Sequence, residues 1–113
     1  MNPSDNNPKP KSFVIKDWAE DDRPREKLMA KGREALSNAE LLAILIGSGS
    51  ATQSAVDLCK DILTKANNNL NMLAKYNLSD LMQFKGIGEA KAISIMAALE
   101  LGRRRQLATA LEK

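Results

Sequence analysis

The chain has 113 residues, 43% of them hydrophobic and 27% charged, with a formal net charge of +3. That length fits one domain with its own core, and no apolar run approaches the roughly 18 residues of a membrane span. There is no histidine and only one cysteine, which removes Ser-His-Asp and Cys-His catalysis, His-ligated metals and any intrachain disulfide.

In chain order, residues 1–12 are rich in Asn, Pro and Lys and predict a disordered tail. Phe13-Val14-Ile15-Lys16-Asp17-Trp18 is too short and isolated for a sheet. It predicts an extended arm anchored by Phe13, Ile15 and Trp18, closed by the acidic run Glu20-Asp21-Asp22. Those three acids are also the sole cluster that could draw Mg²⁺, and no cofactor is implied. Nothing at the N-terminus has the charged-then-apolar form of a secretory signal. With Cys59 as the lone cysteine, the expectation is a cytoplasmic protein. Cys59 itself has apolar neighbours at helical spacing, as a buried small hydrophobe does.

Pro24 suits the first position of a helix and Glu26 its first turn, and Gly32 is a natural stop, which predicts a helix over 24–31. Ser37-Asn38-Ala39-Glu40 has the capping-box pattern. The run that follows, Leu41 to Ile46, is apolar nearly all round and predicts the buried centre of a bundle. A strand is the competing reading, but the capping box and the Leu/Ala content favour helix. Gly47-Ser48-Gly49-Ser50 breaks it. From Gln53 to about Lys65 a helix places Ala55, Cys59, Ile62 and Leu63 on one face. Asn67-Asn68-Asn69 predicts a loop, since Asn tolerates the left-handed conformation. A short helix is expected over 70–75, and another starts at Ser79 and Asp80.

Residues 81–95 then predict a short helix, a glycine turn and a long helix over 89–105, with Ala92, Ile95, Met96 and Leu99 on one face. Gly86 and Gly88 flank Ile87, which should point inward and pin the turn. Such a turn leaves the first amides of the next helix unpaired at the positive end of its dipole, where a phosphate can sit. The pattern of Leu81, Phe84, Gly86, Ile87, Gly88, Ala92 and Ile95 resembles the helix-hairpin-helix motif of DNA-binding proteins. That resemblance implies a close helix crossing at the small residue Ala92. Residues 106–113 continue in helix-compatible composition, as a linker would.

The two halves of this plan echo each other. Leu36-Ser37 opens a helix ending at Gly47-Ser48-Gly49, and Leu78-Ser79 opens one ending at Gly86-Ile87-Gly88. The expectation is an all-α, compact five- to six-helix domain over 13–105 with one clear and one degenerate hairpin unit, preceded by the extended arm. In the first unit Ser48 cannot anchor the turn as Ile87 can.

Charge is uneven. Residues 85–113 carry six basic and three acidic side chains, whereas residues 1–84 carry eleven of each. The whole excess therefore lies on the hairpin and the helix after it, the asymmetry an anionic partner would use.

Three stretches share a family resemblance. Residues 15–28 (Ile15-Lys16-Asp17-Trp18 through Arg23-Pro24-Arg25-Glu26), residues 35–45 (Ala35-Leu36-Ser37-Asn38-Ala39-Glu40 onward) and residues 86–104 resemble the RadC family. The resemblance implies a bacterial protein named for DNA repair, with a helical N-terminal region and a C-terminal JAB/MPN-like domain bearing a zinc motif with two histidines. This chain, without histidine, is expected to correspond to the N-terminal region alone, so no zinc site or hydrolysis carries over. Ala19 replaces a usual proline. Gly47-Ser48 stands where many members have Arg-Thr, which weakens the first hairpin as a phosphate site.

Two functions compete. One is a sequence-nonspecific module that binds duplex or branched DNA. Its site would be the backbone at Gly86, Ile87, Gly88, Glu89 and Ala90, aided by Lys85 and Lys91, with Arg103 and Arg104 on a neighbouring phosphate. No Arg/Asn/Gln row suggests base readout. The other is an interaction module that docks or positions the JAB/MPN domain, favoured by the charged, Trp-anchored arm. A free-standing enzyme is the weakest reading, because no catalytic constellation survives the composition.

Overall fold

The computed structural model describes residues 23–112. The tail and arm expected over 1–22 lie outside the described residues. The chain divides into two units, Met1–Ser37 and Asn38–Lys113, and each is taken by itself.

In the first unit, α1 spans Pro24–Lys31 with its proline in the first turn and Glu26 beside it. Gly32 ends it as expected, with φ +90° and its amide donating to the Leu28 carbonyl at 2.8 Å. That positive φ is the reason for glycine here. A single 3₁₀ turn, Arg33–Ala35, follows.

The second unit holds five helices: α2 (Asn38–Ile46), α3 (Ala55–Lys65), α4 (Leu70–Leu73), α5 (Leu78–Met82) and α6 (Glu89–Leu111). No strand occurs among the described residues, so the fold is all-α. Ser54 caps α3, its hydroxyl accepting the Asp57 amide at 3.1 Å. The helix therefore starts two residues later than Gln53. Asn67 and Asn68 both take positive φ in the next loop, the role expected of them. Asn77 caps α5 in a reciprocal capping box with Asp80, ahead of the expected start at Ser79. The last helix is longer than expected, one 23-residue element.

The core gathers one stripe from each helix. Leu42, Ala43 and Ile46 of α2 meet Leu58, Cys59, Ile62 and Leu63 of α3, with Leu73, Leu81, Ile87, Ala92 and Ile95 closing the cluster. Helix α2 packs on both α3 and α6, and α5 packs on α6. Two expectations need correction. Helix α2 is not buried all round: Leu41 and Leu45 remain 38% and 39% exposed, because a helix two neighbours cover leaves one flank open. Met96 is 37% exposed rather than a core residue. It lies one position past the buried Ile95, on the edge of the α6 stripe.

No helix among the described residues is long and apolar enough to cross a membrane.

Candidate nucleic-acid interface

The turn between α5 and α6 is built from a buried anchor and two unlike glycines. Ile87 is only 3% exposed and joins the core. Burying such a side chain contributes roughly 1.5–3 kcal/mol, enough to fix a six-residue turn. The Ile87 amide donates to the Phe84 carbonyl at 3.0 Å. It is therefore committed to the turn.

Gly86 has φ +99°, which disfavours any L side chain. A Cβ there would also lie 2.8 Å from Ser50 Cβ and 3.2 Å from Leu58 Cδ2. Gly86 is thus glycine for both conformation and packing. Gly88 is different. Its φ of −93° and ψ of −169° are extended backbone, and a Cβ there would meet nothing within 4 Å.

Gly88 is the N-cap of α6, and no side chain caps that end. The first helical bond runs from the Ala92 amide to the Gly88 carbonyl at 3.0 Å. The amides of Glu89, Ala90 and Lys91 come before it and have no helical acceptor. Gly88, Glu89 and Ala90 are exposed, as is Lys85. The contrast with α3 is direct: Ser54 and Asp57 close that helix start from within.

Lys91 does not face solvent as a free cation. Its Nζ donates to the Ser48 carbonyl at 2.8 Å, the Ser48 hydroxyl at 3.2 Å and the Gly49 carbonyl at 3.3 Å. These oxygens belong to the glycine loop after α2. That loop is itself tightly specified. Gly47 has φ +79°. A Cβ on Gly49 would run into the Gln53 carbonyl and lie 2.5 Å from the Ser54 carbonyl carbon. The Ser50 hydroxyl accepts the Thr52 and Gln53 amides at 3.2 and 3.1 Å. The two glycine loops therefore lie side by side, Gly86 against Ser50 and Lys91 across Ser48 and Gly49. Sequence reasoning flagged both loops but gave no sign that Lys91 joins them.

Arg103 and Arg104 are elsewhere. They lie fourteen and fifteen residues beyond Glu89 on the same helix, about 21 Å along its axis at ~1.5 Å per residue. Both hold Glu100: Arg103 Nη2 at 2.9 Å and Arg104 Nε at 2.8 Å. The two guanidinium groups hold the Glu100 carboxyl down at about 2, and Glu100 in turn raises Arg103. The fold does not bring these arginines to the hairpin. Among the described residues, no three His, Cys, Asp or Glu side chains cluster to hold a metal ion.

The described residues form an all-α module whose glycine turn is pinned by a buried isoleucine and opens on an uncapped helix start. The chain belongs to the UPF0758 N-terminal family, which matches residues 15–93. This is the RadC-like family that the sequence resembles, in its N-terminal region. Similar UPF0758 proteins occur in Flavobacterium johnsoniae, 68% identical over 83% of this chain, and in Trichlorobacter lovleyi, 52% identical over 82%. A third, from Porphyromonas gingivalis, is 52% identical over 81% of the chain. The chain spans 41% of the length of each of these three relatives. No solved structure matches it.

Proposed function

We propose that this domain binds DNA without sequence preference, holding one backbone phosphate at the N-terminus of α6. The observation that carries the reading is Gly88. It needs neither a positive φ nor room for packing, and its missing Cβ leaves the uncapped amides of Glu89 and Ala90 open to close approach. A phosphate oxygen there would accept those amides and meet the positive end of the helix dipole. Lys85 adds a nearby charge. Glu89 opposes it, so affinity rests on the amides and not on a large positive field. Arg103 and Arg104 could reach a separate phosphate further along a duplex.

The test is fluorescence anisotropy of labelled duplex, branched and single-stranded DNA over a salt series, with wild type and Gly88→Ala. With one or two phosphates held, log Kd should change with log salt with a slope of roughly 1–2. Loss of binding in folded Gly88→Ala supports the site. Equal binding by the variant, or none by wild type at low salt, removes it.

A second reading has its own observation. Leu101, Leu107 and Leu111 on the outer half of α6 are 67%, 50% and 77% exposed. Exposed leucines, two of them (Leu107 and Leu111) four residues apart on one face, favour a docking surface, with the JAB/MPN-like domain implied by the RadC resemblance as its partner. Salt separates the two readings, since apolar docking does not weaken steeply as salt rises.

A further inference from the structure

We infer that Lys91 is a positioning residue that clamps the first glycine loop onto the α6 start and does not itself contact phosphate. The inference rests on the DNA-binding reading above and adds how that site is held.

Lys91 occupies the third position of α6, counting Glu89 as the first. A cation there is opposed by the positive end of the helix dipole, where an acid would be favoured. The placement makes sense only with a compensating partner, and the structure supplies three oxygens within 3.3 Å of Nζ: two carbonyls and the Ser48 hydroxyl. An ammonium has three protons to donate. Satisfied in this way, it has none left for a phosphate.

The clamp has two consequences for an anion at the α6 start. First, it fixes the position of the loop. Gly86 leaves only enough space for Ser50 because it has no Cβ, and Lys91 holds the preceding two residues, Ser48 and Gly49. Loop and turn then move together, which keeps the Gly88–Ala90 backbone pre-organised. Second, the carbonyls of Ser48 and Gly49 are the negative ends of peptide dipoles beside a site meant for an anion. Lys91 neutralises them.

The test uses this chain with Lys91→Met and Lys91→Arg. Amide hydrogen exchange is followed without DNA, and DNA affinity is followed over a salt series. The Ser48 and Ser50 amides are bonded to Ile46 and Gln53 carbonyls at 2.9 Å each, so loosening of the loop is readable there. Lys91→Met should speed their exchange by more than it speeds that of the core amides of α3 and α6, which follows global stability, and should weaken DNA binding about fivefold, the equivalent of one hydrogen bond. The salt slope should stay at the wild-type value. Lys91→Arg, which keeps charge and donors, should restore both. If the slope falls by about one in Lys91→Met and loop exchange is unchanged, Lys91 touches phosphate and the inference is overturned while DNA binding stands. If wild type binds no DNA, the DNA reading and the positioning role both fall, and the exchange data then describe a structural tie only.

Discussion

The ammonium of Lys91 lies 2.8 Å from the carbonyl oxygen of Ser48, 43 positions earlier in the chain. This is a charged hydrogen bond between the two glycine loops, on a partly buried side chain. Its removal should show in stability as well as in loop motion. Lys91→Met is expected to cost about 1 kcal/mol, the lower range for bonds to a charged donor once solvent access is allowed for. For a domain of this size that is a fall in Tm of roughly 4–8 °C. Lys85→Met, at an exposed neighbour of the same charge, should stay within about 0.5 kcal/mol. Paired thermal melts decide it, and equal effects of the two variants would remove the clamp.

The two hairpin glycines should separate cleanly. Gly86→Ala forces an L side chain into φ +99° and against Ser50, so a loss of about 1–3 kcal/mol is expected. Gly88→Ala meets open space and should cost under about 1 kcal/mol, the difference between Gly and Ala as an N-cap. Urea denaturation of the two variants measures this. The order matters for function: Gly88→Ala is the informative DNA-binding variant because it keeps the fold, whereas Gly86→Ala confounds binding with stability.

The turn's anchor gives a third expectation. Ile87 fills a closed core position, so Ile87→Val should cost about 0.5–1.5 kcal/mol and Ile87→Ala about 2–5 kcal/mol. Ile87→Val, which keeps the turn pinned, should reduce any DNA binding only in proportion to the unfolded fraction, whereas Ile87→Ala frees the anchor and should lose more. Binding measured beside circular dichroism at the same temperature checks this. A binding defect in fully folded Ile87→Val would mean that affinity follows the fine placement of the turn, since the side chain itself is buried.

Local chemistry made much of this fold legible. Pro24 and Gly32 bound α1, Asn67 and Asn68 take left-handed backbone, and Ile87 turns inward, each for a reason confined to a few residues. Starts were missed where two capping residues compete. Ser79 and Asp80 marked α5 in sequence, yet Asn77 pairs reciprocally with Asp80 and claims the cap. Leu41, Leu45 and Met96 looked like core because composition shows that a residue is apolar but not how wide a stripe its neighbours will cover. The candidate site was legible in its backbone and not in its charges. Lys91 stands three residues after Gly88, where proximity suggests a phosphate ligand. Its actual partners come from a loop whose approach is decided by the packing of α2, α3 and α6 together. Arg103 and Arg104 read in sequence as contacts to a neighbouring phosphate, and the length of α6 sets them apart from the hairpin.

Charge on α6 yields an acid-side prediction. Glu100 is held down to about 2 from its usual 4.5, first by hydrogen bonds from Arg103 and Arg104. A carboxylate depressed on folding supports the folded form above its ordinary pKa and loses that support as pH falls through the lowered one. The helicity of the outer part of α6 should therefore decline between pH 4.5 and pH 2. An NMR titration of the Glu100 carboxyl carbon should find it low, and Arg103→Ala should move it back up. Glu100→Gln would also release two guanidinium groups. If the α6 flank lies along the duplex, DNA affinity then rises and the salt slope steepens.

Cys59 gives the alkaline counterpart. Its side chain is fully buried in the core. Burial pushes the thiol up to about 11 from 9.0, and the nearby Lys91 charge only partly opposes this. A thiol whose pKa is raised on folding contributes fully below pH 9.0, and its contribution is lost as pH rises toward 11. The unfolded chain ionises first, so stability should fall across that window. Lysines titrate there too, so the comparison is with Cys59→Ala. The variant begins less stable because it leaves a small cavity, and the gap should narrow as pH rises. Near neutral pH the native thiol should resist a disulfide reagent and react only as the domain opens. Rapid labelling of folded wild type would show instead that the α2–α3 contact around Cys59 breathes without global unfolding. That motion would reach the Ser48–Gly49 loop, which joins the same two helices.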